Sequence, residues 1–382
     1  MRLVFAAIPA FGHLYPLMPL ALACADAGHD VTVAAGPPFL GRLPLPTILQ
    51  QPPGLDLEAT MAETQRRNPH LHGGELMVGL FADVTAEAVV ETLLPALEAS
   101  PPDLIVYEAM DAGVGVVADL LGVPAVAYAI SLVQDGPAAV HPATVRYRQE
   151  AWRRRGRRPP EDVVLLGRGL LDHTPPSLRG LGAALDATRF PVRPVPYAEG
   201  SATVPAWMTA PASRPRVYLT LGTVSFGAVD VLRRAVQEIS SLDVDLLVVV
   251  GPEGDPAALG AVPANVQVER FVDQAGVLAR VDLLVHHGGT GSVLGALANG
   301  LPQLVMPQGA DQYANAAALS EVGAARALVE PYPESGAIRR EVEHLLSGTA
   351  ERGRARELQA EIAALPEPAD VVDQLVALAA DG

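Results

Sequence analysis

The sequence predicts an α/β protein built from two halves, each a parallel β-sheet covered by helices on both faces. Short apolar runs of strand length recur along the chain and alternate with helical stretches, the pattern of strands buried on both faces. The pattern occurs twice, with a proline-dense segment between the two sets. The chain has 382 residues, 49% of them hydrophobic, which is enough for two cores of roughly 150 to 200 residues each.

In the first set the strand candidates are Leu3–Ile8, Val31–Ala34, Leu104–Tyr107 and Ala125–Ala129. The first runs into Pro9-Ala10-Phe11-Gly12-His13-Leu14-Tyr15-Pro16, and then a helix with apolar positions Leu17, Leu20, Ala21 and Cys24 stops at Gly28. His13 therefore falls in a strand-to-helix turn at the carboxyl edge of the sheet, where open α/β folds bind ligands. No G-x-G-x-x-G follows this strand, which argues against a nicotinamide or flavin oxidoreductase. Residues 37–72 and 137–160 are irregular and rich in proline, the composition of loops that shape a ligand pocket.

Pro191, Pro194, Pro196, Pro205, Pro211 and Pro215 cannot continue a helix or a central strand, so Pro191–Pro215 is expected to be an extended linker. The second set follows: Val217–Leu221, Leu246–Val250, Val266–Phe271, Leu283–Val285 and Gln303–Met306. The tail is helical in pattern and broken at Pro366 and Pro368. The expected division is 1–200, a linker at 201–215, 216–360, and a terminal helical segment at 361–382.

The richest stretch is Leu283–Leu319. A buried strand delivers His286, His287, Gly288 and Gly289 at its carboxyl end, and the chain turns into a helix. Gly288, Gly289 and Gly291 carry no side chain to block a phosphate. The N–H groups of Gly289, Thr290, Gly291 and Ser292 are expected to point at its oxygens, helped by the positive end of the helix. His287 and the Ser292 hydroxyl add donors. The next strand ends in Pro307-Gln308-Gly309-Ala310-Asp311-Gln312, which sets a carboxylate and an amide beside the same crevice, where they can read sugar hydroxyls.

Composition removes several alternatives. The basic residues are all arginine, so no P-loop lysine or Schiff-base lysine exists. The formal charge of −16 repels nucleic acid. The one basic cluster, Arg153, Arg154, Arg155, Arg157 and Arg158, fits a solvated loop or helix end. Cys24 is the only cysteine, which excludes an intrachain disulfide or a thiolate cage and reads as core packing. No apolar run approaches the length of a membrane span, and Pro9, Gly12, His13 and Pro16 interrupt the start too early for a signal peptide. A cytoplasmic protein without integral membrane association is expected, and a homodimer stays open.

The Leu283–Leu319 segment, together with the G-H-x-x-P context of His13, resembles the inverting, nucleotide-sugar-dependent glycosyltransferases of fold type GT-B. Among these it is most similar to the bacterial enzymes that decorate polyketides and other natural products, and the resemblance covers essentially the whole chain. It implies two Rossmann-like domains facing each other across a cleft, acceptor-binding in the first and donor-binding in the second, with the last helix crossing back. It implies that His287 and Ser292 contact the diphosphate and that Asp311 and Gln312 bind the donor sugar. Thr290 departs from a glycine common in related sequences. Phe271-Val272-Asp273-Gln274 stands where relatives carry Trp-x-Pro-Gln, with Phe for Trp and Asp273 for Pro, so Phe271 is expected to stack on the nucleobase, either thymine or uracil, with thymidine diphosphate favoured by the natural-product resemblance.

His13 matches the catalytic histidine of that family, and its unperturbed pKa near 6.5 suits a general base. Such a base needs a carboxylate to orient it. Glu108, after the strand Leu104–Tyr107, matches the position of the acidic partner, usually Asp; Asp111 is the alternative, and Asp135 a more distant one. Thr223 is expected to face the crevice from the other half. The co-substrates implied are a nucleoside diphosphate sugar and an aglycone hydroxyl, with no metal and no further cofactor. Asp243-x-Asp245 leads straight into a strand and reads as structural. A nucleotide-sugar 2-epimerase and a non-catalytic auxiliary partner are the rival readings.

Overall fold

The computed structural model describes residues 1–54, 57–72, 76, 79–132, 149, 152–154, 156, 158, 167–179, 188–200, 202–222, 229–251, 254–329, 335–348 and 350–380. The first half contains β1 (Arg2–Ala6), β2 (Asp30–Ala35), β3 (Thr47–Leu49), β4 (Leu104–Glu108), β5 (Ala125–Tyr128), β6 (Leu170–Asp172) and β7 (Arg189–Pro191). They form one parallel sheet in the order β3-β2-β1-β4-β5-β6-β7. The second contains β8 (Arg216–Thr220), β9 (Asp245–Val249), β10 (Val266–Glu269), β11 (Leu283–His286), β12 (Gln303–Val305) and β13 (Ala325–Ala327), ordered β10-β9-β8-β11-β12-β13.

Strand order reverses between β1 and β4 in the first sheet and between β8 and β11 in the second. Those switch points leave a crevice at the carboxyl edge, because the connections on either side run away from it in opposite directions. His13 follows β1 and Glu108 ends β4; Gly222 follows β8 and His287 follows β11. The expected strands all occur, with ends shifted by a residue or two. Four more were missed: β3, β6, β7 and β13 are each three residues long, too short to show a period. The expected linker start is also corrected, since Pro191 lies in β7. An edge strand tolerates a proline that donates no ladder bond.

Each sheet is packed on both faces. Leu3, Phe5, Val31 and Val33 meet Leu17, Leu20, Ala21 and Cys24 on one side of the first sheet. Val4, Ile105 and Tyr107 meet Val89, Leu93 and Val117 on the other. Cys24 is core, and burial pushes its thiol up to about 12. The same first-half core takes in Val371, Val372 and Leu375, so the terminal helix Val372–Ala380 packs on the opposite half of the chain from the strands that precede it. Arg193 fastens the crossing: its N–H donates to Pro366 O at 2.7 Å and its Nε to Leu365 O at 3.1 Å. Leu132 and Leu178 of the first half pack with Val293, Leu294 and Leu297 of the second. Asp245 opens β9 and pairs with Arg214 at 2.6 Å, the structural role read for Asp243-x-Asp245.

Candidate active site

His13 sits in a single helical turn, Phe11–Leu14, which continues through a 3-10 turn at Tyr15–Leu17 into the helix Met18–Asp26. Its Nδ1 lies 3.4 Å from Glu108 Oε2, with the imidazole 22% exposed and the carboxylate fully buried. Burial pulls the imidazole down, but Glu108, then Asp311 and Asp111, favour its protonated form more strongly, so its pKa is raised. Of the two acidic candidates, Glu108 is the one against the ring. Asp111 is turned toward Gln50, whose Nε2 donates to Asp111 Oδ2. Phe81, in a π-helical turn at Leu80–Val84, stands with its ring 6.0 Å from that of His13.

Across the crevice, His286 ends β11 fully buried, its Nδ1 accepting the Gly288 N–H at 3.1 Å. His287 is held between glycines. A Cβ on Gly222 would come within 2.7 Å of its ring, and one on Gly289 within 2.4 Å of its Nε2. Burial drives His287 down to about 4, only partly offset by Asp311 and the Thr220 backbone. The imidazole is therefore neutral near pH 7 and offers a single N–H. Its Nδ1 is buried without a partner among the described residues.

Gly288 has φ 97°, which only glycine adopts freely, and Gly289 caps the helix Thr290–Ala298. One expectation about this turn is corrected. Ser292 N–H is spent on Gly289 O at 3.0 Å, and Val293 N–H on the same oxygen at 3.1 Å. The helix closes one residue earlier than assumed, so the amides of Gly289, Thr290 and Gly291 are those that precede the first intrahelical bond. The Ser292 hydroxyl stays at the turn and accepts from Gln274 Nε2 at 3.3 Å. Thr290 points inward, its hydroxyl donating to Asp311 Oδ2 at 3.2 Å.

Asp311 follows Ala310, whose φ of 52° is the one positive value at a non-glycine residue among those described. Asp311 then stands at the N-cap of the helix Gln312–Glu321. Asp311 Oδ2 accepts from Thr290, from Asn315 Nδ2 at 3.0 Å, and from Ser131 Oγ of the other half at 2.9 Å, leaving Oδ1 for a ligand. Gln312 differs from expectation: its Oε1 accepts the Gln308 and Gly309 amides at 2.8 and 3.1 Å. It shapes the loop, and only its NH2 remains for a sugar. Phe271, two residues beyond β10, is 41% exposed and open for stacking, while Val272 is buried in the second-half core.

Thr223, Asp135, Arg155, Arg157 and most of 137–160 lie outside the described residues. Sequence reasoning missed Ser131, Gln50, Phe81 and Asn315. Asn315 alone had a local signal, one helical turn beyond Asp311. The others reach the site through tertiary folding.

Asp311 of the second half thus bears on His13 of the first as well as on His287, and Ser131 bonds it across the two halves. Two family models match the chain, the erythromycin biosynthesis protein CIII-like N-terminal domain over 48–222 and the corresponding C-terminal domain over 233–378. The chain belongs to the erythromycin biosynthesis protein CIII-like family. Within this family it is 32% identical to the L-demethylnoviosyl transferase of Streptomyces niveus, covering 99% of this chain and 98% of that protein. It is also 32% identical to the elloramycin glycosyltransferase ElmGT of Streptomyces olivaceus, covering 98% and 97%. The glycosyltransferase SnogD from Streptomyces nogalater superposes with a TM-score of 0.79 at 26% identity over 99% of both chains. SsfS6 of Streptomyces sp. SF2575, complexed with thymidine diphosphate, gives 0.79 at 26% identity, again over 99% of both. Membership makes this CIII-like chain a glycosyltransferase of GT-B architecture, as its sequence motifs implied. No helix among the described residues is long and apolar enough to cross a membrane.

Proposed function

We propose that the protein transfers a deoxysugar from thymidine diphosphate to a hydroxyl of a polyketide-type aglycone, with inversion at the anomeric carbon. The observation that carries this is the placement of His13, backed by Glu108 at 3.4 Å in one half and under the influence of Asp311 from the other. An imidazole so placed takes the proton of an acceptor hydroxyl, and Glu108 stabilises the imidazolium that forms. The oxygen attacks from the face opposite the diphosphate. The departing diphosphate meets the His287 N–H, the Ser292 hydroxyl and the amides that open helix Thr290–Ala298, donors fixed before charge develops. Asp311 Oδ1 and the Gln312 NH2 hold sugar hydroxyls, and Phe271 stacks on the base. These donors take the place of a divalent ion at the leaving group. The complex of SsfS6 with thymidine diphosphate and the glycosyl transfer named for the CIII-like relatives support the choice of donor and reaction.

Calorimetry with thymidine and uridine diphosphate, followed by transfer assays on an aglycone panel with the product's anomeric configuration read by NMR, tests the proposal. Tighter thymidine diphosphate binding and an inverted glycoside are expected. A retained configuration, or sugar conversion without any acceptor, would refute it.

A further inference from the structure

The corner behind His13 holds a second carboxyl group that the mechanism above leaves unused. Gln50, just after β3, and Asp111, just before the helix Ala112–Leu121, are both closed to solvent beside Glu108. Gln50 Nε2 donates to Asp111 Oδ2, and Asp111 N–H donates to Glu108 O at 3.0 Å. Gln50 Oε1 and Glu108 Oε1 are buried acceptors without a donor among the described residues. The titratable groups that bear on Asp111 most are Glu108, which disfavours its charge, and His13, which favours it, as do bonds from the Val114 backbone and Gln50; the Tyr107 phenol in turn feels Asp111.

Two carboxylates in one dry corner repel each other, and burial disfavours each. A single imidazole, charged only when protonated, cannot neutralise both. One negative charge in this corner is therefore favoured over two. Glu108 is the better place for that charge, since it lies against the His13 ring and accepts the Met110 N–H at 3.3 Å. A proton on Asp111 removes the second charge. It also gives this corner a donor, where Gln50 Oε1 and Glu108 Oε1 otherwise have none among the described residues.

We propose that Asp111 works as a neutral carboxylic acid, pinned by Gln50, that positions Glu108 and leaves it the sole anion behind the His13 base. Burial first, and Glu108 second, push the Asp111 carboxyl up to about 8, in accord with that state. Asp111 and Gln50 are positioning residues acting through Glu108. The inference rests on the reading of His13 as the base, and deepens it.

The test is the NMR titration of the His13 ring in the full chain, its signals assigned by their loss in His13→Ala. Glu108→Gln removes an anion and is expected to lower the His13 pKa by at least about one unit. Asp111→Asn replaces one neutral group with another and is expected to move it by less than about 0.3 unit. Infrared spectra should show a protonated-carboxyl band that Asp111→Asn removes. Should a variant fail to fold, 13C-labelled aspartate in the unsubstituted protein reports the same proton between about pH 6 and pH 10. A fall in the His13 pKa as large in Asp111→Asn as in Glu108→Gln, no fall in Glu108→Gln, or no protonated aspartate band, overturns the proposal. These readouts need no acceptor. They stay decisive whether or not His13→Ala abolishes transfer, so failure of the base assignment and failure of this inference are told apart.

Discussion

Gly289→Ala is expected to cost nucleotide affinity while leaving the fold standing. Gly289 has φ −61° and ψ 138°, a conformation open to any residue. Its added Cβ would lie 2.4 Å from His287 Nε2, against about 3.4 Å for ordinary contact. The ring must therefore move by about 1 Å, a displacement large enough to spoil a site that depends on aligned donors. The ring is buried, so that shift must be taken up by its packed neighbours. Losing one hydrogen bond to a charged oxygen costs about 1.5 to 3 kcal/mol, or roughly 10- to 100-fold in affinity. Isothermal calorimetry with thymidine diphosphate reads the loss, with thermal unfolding as control and His287→Ala as benchmark. Gly222→Ala should lower both affinity and Tm, since φ there is 87° and a side chain adds strain of about 1 to 2 kcal/mol. Affinity in Gly289→Ala within about threefold of the parent would remove His287 from the diphosphate.

His13→Ala should slow transfer by at least about 100-fold while thymidine diphosphate binds nearly as before; stopped-time product assays beside calorimetry separate the two effects. Because the base must be neutral and its pKa is raised, kcat/KM should fall as pH drops through a value above the ordinary histidine range, which a pH–rate profile checks. Phe271→Ala should weaken thymidine diphosphate by about 3- to 10-fold through lost stacking, with Tm unchanged because the ring is exposed. Leu375→Ala empties a fully buried site where the terminal helix meets the first half, and a loss of about 3 kcal/mol in denaturant unfolding is expected. A chelator added to the transfer assay should leave turnover unchanged.

Much of this molecule follows from local chain chemistry. Uninterrupted apolar runs mark most of the strands, because a strand buried on both faces must be apolar throughout. The glycine turn at Gly288 and Gly289 and the histidine beside it are legible because a strand-to-helix turn that leaves its amides open to a phosphate needs residues without side chains. The three-residue strands β3, β6, β7 and β13 stayed invisible, since their pairing is supplied by neighbouring strands rather than by their own pattern. The Ser292 N–H is taken up by Gly289 O, because where a helix closes its first bond is set by backbone geometry.

What the chain order could not supply is which distant groups meet. Glu108 and Asp111 are three residues apart, and their spacing cannot choose between them. The β1–β4 pairing turns Glu108 toward His13, and β3 delivers Gln50 to Asp111. Likewise Ser131 of one half reaches Asp311 of the other. Periodicity reports which face of an element is buried, a property of each segment alone; charge, protonation and donor alignment in the cleft depend on side chains brought together from separate strands, and only the packed sheets decide those.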